Sequence, residues 1–242
     1  MASQNRFELV AFDADDTLWH NESVYLRGRE RATAIVARYG EADAFEKRLD
    51  EVEVGNLQYY GYGVMSFILS AIEAAIDVTE GEISAGDVQE LIALSKEMLT
   101  HEVQLFDGVE DALSELSEMY PLLLITKGDL RHQQEKVSKS GLAGYFRGVE
   151  VVSDKTPGTY ERILKRYQVE PARFLMVGNS LRSDIAPVLE LGGWAVHVPN
   201  DLTWDHEMAV SRPETEGRFF EVEHVGQVPG LVERLGRHDG GG

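Results

Sequence analysis

Three aspartates follow directly on a short apolar run near the start of the chain. Val10 to Phe12 end that run, and Asp13, Asp15 and Asp16 occupy three of the next four positions. Ionised carboxylates this close repel one another, and the first of them stands where burial is expected to begin. We therefore expect a positive group, or a transferable proton, between these side chains.

Hydroxyl, ammonium and further oxygen groups follow three later apolar runs in the same way. Thr126 and Lys127 end the run that begins "YPLLL", and Lys155 follows "GVEVVS". Asn179 and Asp184 come after "RFLMVG". Hard oxygen ligands suit Mg2+, whereas lysine and threonine suit the oxygens of a phosphoryl group. The set predicts a divalent metal and a phosphoryl group at one place.

The apolar runs themselves are typical of buried strands, because each is short, rich in branched residues and closed by a polar loop. They cover residues 7–13, 120–126, 148–153, 173–179 and 194–199, and helical patterns separate the later four. This alternation predicts an α/β fold with a doubly wound (Rossmann-like) parallel sheet. Ligands of such sheets bind outside the carboxyl ends of the strands, where the polar residues above are expected to meet.

The alternation stops between residues 20 and 105, where every periodic segment predicts helix. We expect residues 1–19 and 106–242 to form an α/β catalytic core and residues 20–105 to form an inserted α-helical cap above Asp13. Helices are predicted over Val24 to Tyr39 and over Ala42 to Val54. Apolar residues at helical spacing predict two more helices, namely Met65, Ile68, Leu69, Ile72 and Ile76 in the third and Val88, Leu91, Ile92 and Met98 in the fourth.

Composition excludes several classes of function. The 242 residues carry a formal charge of −19, which disfavours nucleic acid polymers and membrane surfaces as partners. The absence of cysteine excludes a disulfide and a thiolate nucleophile. No signal peptide or membrane span is recognisable, so a cytoplasmic protein is expected. The oligomeric state stays open.

Four motifs, in their order, resemble those of the haloacid dehalogenase-like (HAD) hydrolase superfamily. They are "DADDT", "ITKG", the lysine of "SDKTPGTY" and "GNSLRSD", and the helical segment resembles the cap that this family inserts between the first and second motifs. The resemblance implies a doubly wound core, a mobile cap, and Mg2+-dependent phosphoryl transfer through an aspartyl-phosphate.

The resemblance also implies a catalytic role for individual residues. Asp13 matches the nucleophile that attacks phosphorus, and Asp15 matches the general acid and base. Thr126, helped by the backbone amide of Lys127, matches the group that binds phosphate oxygens. Lys155 matches the ammonium that offsets charge on the nucleophile and the phosphoryl group.

The metal ligands implied in the same way are Asp13, the Asp15 carbonyl and Asp184, with Asn179 as a further candidate. The chain departs from the family at three of its motif positions. Asn179 stands where an aspartate is common, Lys127 where asparagine is common, and Asp16 where glycine is common. None of these changes removes a required side chain, and Asp16 is expected to point outward or to cap the next turn.

Asp15 favours a phosphatase over a dehalogenase, because an alkoxide leaves poorly without a proton whereas a halide needs none. The substrate expected is a small phosphorylated metabolite. Motifs alone do not separate a phosphatase from a phosphomutase of the same superfamily. A phospho-receiver or regulatory binding protein is the alternative from another class, but such modules lack the helical insert and the second aspartate.

Two segments leave their roles open. "NLQYYGYGV" (56–64) is expected to be a loop between two helices. Its Tyr59, Tyr60 and Tyr62 either contact a substrate ring or sugar or pack the cap onto the core. After Pro199, "TWDHE" and "RFFEVEHV" either finish the sheet edge or contribute to an interface.

Overall fold

The protein folds into two compact units, which we describe separately. The computed structural model describes residues 5–202 and 217–237. One unit combines Met1–His20 with Val103–Gly242, and the other is Asn21–Glu102. We call the first the α/β unit and the second the helical unit. None of the helices in the described ranges is long and apolar enough to cross a membrane.

The α/β unit is built on a six-stranded sheet of order β3-β2-β1-β4-β5-β6, in which every neighbouring pair is parallel. This confirms the predicted doubly wound fold. The strands are β1 (Leu9–Phe12), β2 (Leu122–Lys127), β3 (Phe146–Val152), β4 (Phe174–Gly178), β5 (Trp194–His197) and β6 (Phe219–Glu221).

Helices are numbered along the chain. Those of the helical unit are α1 (Glu22–Val36), α2 (Ala42–Tyr60), α3 (Val64–Val78) and α4 (Ala85–Thr100). Those of the α/β unit are α5 (Val109–Met119), α6 (Leu130–Lys139), α7 (Pro157–Tyr167), α8 (Ala186–Glu190) and α9 (Val228–Arg237).

The central strands are buried on both faces, which explains their continuous apolar sequences. Along β1, successive side chains point to opposite faces. Val10 and Phe12 join one apolar cluster, while Leu9 and Ala11 join another on the opposite face. Both clusters exclude water from the strands, so the polar groups that follow each strand are held at one edge of a rigid platform.

The segment after Pro199 finishes the sheet edge, which decides one alternative left open by the sequence. Phe219–Glu221 pairs in parallel with β5 as β6. Buried Val225 and Val228 then join the core cluster. The "TWDHE" segment lies outside the described residues.

In the helical unit, α3 lies where the spacing predicts it, but its buried face is a different one. Of the five residues that define the pattern, only Ile68 is buried, while Met65, Leu69 and Ile76 are exposed. The buried face carries Phe67 and small residues, namely Ser66, Ser70, Ala71, Ala74 and Ala75. Because α3 packs against both α2 and α4, small side chains allow a closer approach than branched ones.

Helix α2 extends to Tyr60, six residues beyond its predicted end at Val54. Gly55 and Asn56 are weak helix formers, which is why the sequence indicates a loop. Asn56 is nonetheless buried, and its Nδ2 donates to Ser70 Oγ at 3.1 Å. This tertiary hydrogen bond outweighs the poor propensity, so Tyr59 and Tyr60 belong to the last turn of a helix.

Candidate active site

The polar residues predicted to meet are held by the three central strands and by the loop after β3. Phe12 lies opposite Leu124 of β2 and Val177 of β4. Asp13 therefore begins the loop after β1 level with Ile125, the residue before Thr126 in β2, and with Gly178 at the end of β4. The Asp13 amide also donates to the Val177 carbonyl at 2.8 Å, which fixes the backbone of the first aspartate.

Lys155 joins two buried carboxylates. Its Nζ donates to Asp13 Oδ1 and to Asp184 Oδ1 at 2.6 Å. The remaining oxygens also have donors, because Thr17 Oγ1 donates to Asp13 Oδ2 at 3.1 Å and the Ser180 amide donates to Asp184 Oδ2 at 3.0 Å. Every one of these side chains is buried, and of the three aspartates beside which a positive group is expected, this ammonium contacts Asp13.

The charges of this group are unbalanced. Burial raises the pKa of Asp13 to about 7, helped by the Asp184 carboxylate and opposed by the Lys155 ammonium. Burial acts to lower the pKa of Lys155, but the two carboxylates outweigh it and raise that pKa above its ordinary value. Lys155 is therefore charged, and two carboxylates share a single ammonium. A further positive charge at this place is electrostatically favoured.

Asp184 reaches Lys155 because a glycine ends β4. A Cβ built on Gly178 would lie 2.6 Å from the Asp184 Cβ, far inside van der Waals contact. Asp184 itself belongs to a single π-helical turn, residues 181–185. The Ser180 hydroxyl caps this turn by accepting from the Ser183 amide at 3.0 Å. Sequence and local geometry thus aim the carboxylate back over the strand.

Asp15 is held by a separate set of donors. Lys136 Nζ contacts Asp15 Oδ1 at 2.5 Å and Oδ2 at 2.7 Å. Trp19 Nε1 donates to Oδ1 at 2.6 Å, and Gln133 Nε2 donates to Oδ2 at 2.9 Å. Burial acts to raise the pKa of Asp15, but Lys136 and these hydrogen bonds outweigh it and hold that pKa below its ordinary value.

Gln133 connects this set with the second strand. Its Nε2 lies 2.8 Å from Thr126 Oγ1 and 2.6 Å from the Lys127 carbonyl oxygen. Lys127 Nζ in turn donates to Ser183 Oγ at 3.0 Å. The loops after β1, β2 and β4 are thus joined by side-chain hydrogen bonds.

A family model described as haloacid dehalogenase-like hydrolase matches residues 7–192, which include all four motifs. The chain belongs to this family. The resemblance drawn from the motifs is thereby confirmed, and the protein is a HAD-like hydrolase.

Individual relatives agree with the family assignment. A haloacid dehalogenase-like family hydrolase from Xanthomonas campestris is 38% identical, with a TM-score of 0.88 over 99% of this chain and 96% of its own. Human N-acylneuraminate-9-phosphatase is 27% identical over 78% of this chain and 80% of its own length. Glyceraldehyde 3-phosphate phosphatase of Pyrococcus furiosus is 24% identical over 97% of this chain and 95% of its own.

Four residues of this HAD-like site escaped the sequence analysis. Thr17 is the last residue of "DADDT", and it links the Asp13 and Asn179 loops. Trp19 lies two residues further on. Gln133 and Lys136 belong to no motif, and their one signal is that two polar residues three apart occupy the inner face of α6.

Asn179 makes contacts that hold the loops together. Its amide donates to Thr17 Oγ1 at 3.0 Å, and its Oδ1 lies 3.3 Å from the same oxygen. Its carbonyl accepts from His197 Nε2 at 3.0 Å, and His197 Nδ1 lies 3.0 Å from Glu221 Oε2. The end of β4 is therefore supported from β5 and β6.

Of the two expectations for Asp16, the outward orientation is wrong, and the cap on the next turn stays a prediction. The residue is buried, and its φ of 61° is left-handed. Its amide donates to the Trp19 carbonyl at 2.8 Å, and its carbonyl accepts from Asn200 Nδ2 at 3.2 Å. Glycine adopts a left-handed backbone most readily, and aspartate tolerates this region better than most other residues.

The donor chemistry at this site fits Mg2+. The Oδ1 atoms of Asp13 and Asp184 converge on one cation, the Lys155 ammonium, and the neighbouring Asn179 side chain supplies another oxygen. Oxygen ligands are those that Mg2+ prefers, and it needs few from the protein. Within the described residues no group of three or more His, Cys, Asp and Glu side chains is placed to hold a metal; this set contains two carboxylates.

The three tyrosines lie in the helical unit. Tyr59 and Tyr60 are exposed at the end of α2, with ring centroids 6.3 Å apart. Tyr62 is half-buried between Gly61 and Gly63, whose φ angles of 67° and 129° are left-handed. Only glycine adopts such angles readily, so the turn that carries Tyr62 after the end of α2 depends on both glycines.

Proposed function

We propose that this HAD-like hydrolase is a Mg2+-dependent phosphatase that cleaves a small phosphomonoester through an aspartyl-phosphate on Asp13. The observation that carries the proposal is the convergence of two buried carboxylates, Asp13 and Asp184, on one ammonium at the carboxyl ends of the central strands. Thr126 ends the neighbouring strand. Relatives named as phosphatases, among them the human and Pyrococcus enzymes, support the same reaction class.

In the first step, an Asp13 oxygen attacks phosphorus and the bond to the ester oxygen breaks. The leaving oxygen takes a proton from Asp15, so this carboxyl must gain a proton when the substrate binds, because Lys136 and the neutral donors hold its pKa below the ordinary value in the free protein. In the second step, water attacks phosphorus, its proton passes to ionised Asp15, and the Asp13 carboxylate is released. The ion pair with Lys136 corresponds to the ionised form that the second step requires.

The remaining groups hold the phosphoryl oxygens. Thr126 Oγ1, oriented by Gln133, and the Lys127 amide donate to them, and Lys155 offsets their charge together with that of Asp13. Asp13, the Asp15 carbonyl, Asp184 and Asn179 would hold Mg2+. When bound, the metal neutralises charge on the nucleophile and on the phosphoryl oxygens.

We assign the helical segment of residues 20–105 as the cap. We assign Tyr59, Tyr60 and Tyr62 within it as substrate contacts. An exposed aromatic pair beside a glycine turn suits a ring or a sugar. Two of the relatives are named for phosphates of an N-acylneuraminate and of glyceraldehyde. These names support a small phosphorylated metabolite and leave its identity to experiment.

The test is phosphate release from p-nitrophenyl phosphate, an N-acylneuraminate 9-phosphate and glyceraldehyde 3-phosphate, with Mg2+ and with EDTA. Asp13→Asn is compared with Asp111→Asn, an exposed aspartate on α5. We expect metal-dependent release by the parent and by the α5 control, a loss of about 10³-fold or more in Asp13→Asn, and a phosphoryl adduct on Asp13 after acid quench. Release that survives Asp13→Asn, or none from any ester, would overturn the proposal.

A further inference from the structure

The Asp15 carboxylate is clamped by groups that lie outside all four motifs. Each of its oxygens accepts one neutral hydrogen bond, Oδ1 from Trp19 and Oδ2 from Gln133. Lys136 Nζ bridges both oxygens at 2.5 and 2.7 Å. Two neutral donors and one bridging ammonium fix the plane of a carboxylate in a way that a single contact does not.

We infer that Lys136 is a positioning residue, which sets the place of the Asp15 carboxylate for proton transfer to the leaving group. The inference rests on the proposed function. It assigns to a helix that carries no motif the task of orienting the general acid and base.

The cost of burying Lys136 supports a role beyond stability. Only 11% of its side chain is exposed, and its neighbour Val137 belongs to the apolar core. An apolar residue would suit this inner face of α6 without the cost of ordering and desolvating an ammonium. A buried ion pair is weak evidence of stabilisation. The contact with Asp15 therefore explains a lysine at position 136 better than stability does.

The clamp also ties Asp15 to the phosphate-binding strand. Gln133 donates to Asp15 and lies 2.8 Å from Thr126 Oγ1, and Lys136 lies one helical turn further along α6. That helix begins immediately after the loop that follows β2, where Asp129 caps it by accepting from the His132 amide at 2.8 Å. The same helix thus orients Asp15 and Thr126, and Lys136 supplies its strongest contact with Asp15.

The inference predicts an effect that depends on the leaving group. An alkoxide needs a proton as it departs, whereas p-nitrophenolate leaves well without one. The ratio kcat/KM includes only the steps up to the release of the first product. A displaced Asp15 therefore slows kcat/KM for an alkyl phosphate more than for p-nitrophenyl phosphate, whereas a general loss of folded enzyme lowers both equally.

The experiment measures kcat/KM for p-nitrophenyl phosphate and for the best alkyl phosphate with Lys136→Met. The control is Lys139→Met on the exposed face of the same helix. We expect the alkyl-to-aryl ratio to fall by about tenfold or more in Lys136→Met and to stay at the parent value in Lys139→Met. An equal loss for both esters, or no loss, would overturn the inference. If Lys136→Met does not fold, the same ratio and the same criterion are applied to Lys136→Gln, which keeps a polar side chain without the ammonium.

A second measurement, by NMR, does not depend on catalysis. The indole N–H resonance of Trp19, assigned with Trp19→Phe, reports its hydrogen bond to Asp15. We expect this resonance to shift in the Lys136 variant and to remain unchanged in Lys139→Met. If the parent cleaves no ester, the phosphatase proposal fails. The positioning role is tested separately: a shifted Trp19 resonance in the Lys136 variant would support it, and an unchanged resonance would overturn it.

Discussion

The buried ion pairs of the α/β unit and the surface ion pairs of the helical unit differ sharply in their exposure to solvent. In the α/β unit, the side chains of Lys155 and Asp184 are each 1% exposed. In the helical unit, Arg31 and Glu97 pair on the surface with side chains 55% and 57% exposed. Arg38 and Arg48 also form exposed pairs with acidic residues of the same unit.

Under the proposed function, this difference separates ion pairs that take part in chemistry from those that only solvate a surface. Buried charges pay a large desolvation penalty, and apolar residues often replace buried pairs without loss of stability. Exposed pairs contribute little and are screened by salt. In the α/β unit, two buried lysines pair with three aspartates, an arrangement that the proposed chemistry uses, and the substitutions below test this contrast.

Lys155→Met is expected to have the largest effect. Its removal leaves Asp13 and Asp184 buried without their shared ammonium, and we expect the free energy of unfolding to fall by about 3–5 kcal/mol. Urea denaturation measures this loss, with Lys139→Met as the exposed control. A Lys155→Met variant as stable as the control would contradict the buried triad.

Gly178→Ala tests the same group by geometry. A Cβ at this position must displace Asp184, so we expect a loss of about 1–3 kcal/mol in unfolding free energy and a fall in phosphate release. Gly144→Ala, where a Cβ meets nothing within 4 Å, is the matched control. If both variants behave like the parent in denaturation and turnover, Asp184 does not need its place over the strand.

Glu53→Gln tests the partly buried exception in the helical unit. Glu53 pairs with Arg29, which also binds Glu46 and Asp50, and burial raises the pKa of Glu53 from 4.5 to about 7. A raised carboxyl pKa gives stability that is present below about pH 4.5 and lost as the pH rises through about 7. We compare the free energy of unfolding of Glu53→Gln with that of the parent. We expect this difference to favour the variant by about 1–3 kcal/mol more at pH 8 than at pH 5.

Denaturation of both proteins at the two pH values measures this difference. Glu51→Gln, an exposed residue on the same helix, is the control. A stability difference that does not change with pH would show that Glu53 stays ionised in the folded protein.

Arg31→Gln is expected to have the smallest effect. Its partner Glu97 is well solvated, and the pair is exposed on both sides, so the thermal midpoint should match that of the parent within error. A measurable drop, removed by high salt, would show that surface pairs of the helical unit contribute more than the comparison indicates.

Much of the α/β unit was predictable because its central strands are buried on both faces. Such strands require continuous apolar runs, and their carboxyl ends must carry the polar groups that a ligand needs. Lys155 shows how far this reasoning reaches: its position after β3 suggested a site, and its Nζ does join Asp13 and Asp184. Their catalytic roles remain predictions.

Prediction failed where a contact between distant residues decided the outcome. Lys136 meets Asp15 across 121 positions of the chain, and no local pattern marks that meeting. The extension of α2 depends on the hydrogen bond from Asn56 to Ser70. On α3, a regular apolar spacing was visible, but packing between two helices selected the face with small side chains.

The sequence by itself determined the order of strands and helices along the chain and the family. It also determined which aspartates, threonine and lysine follow the strands. These follow from local periodicity and short motifs, which depend on neighbours in the chain. Only the tertiary structure decided the clamp on Asp15, the left-handed burial of Asp16 and the sixth strand at the sheet edge. Each of these depends on groups that become neighbours when the chain folds, and burial then makes their hydrogen bonds and charges decisive.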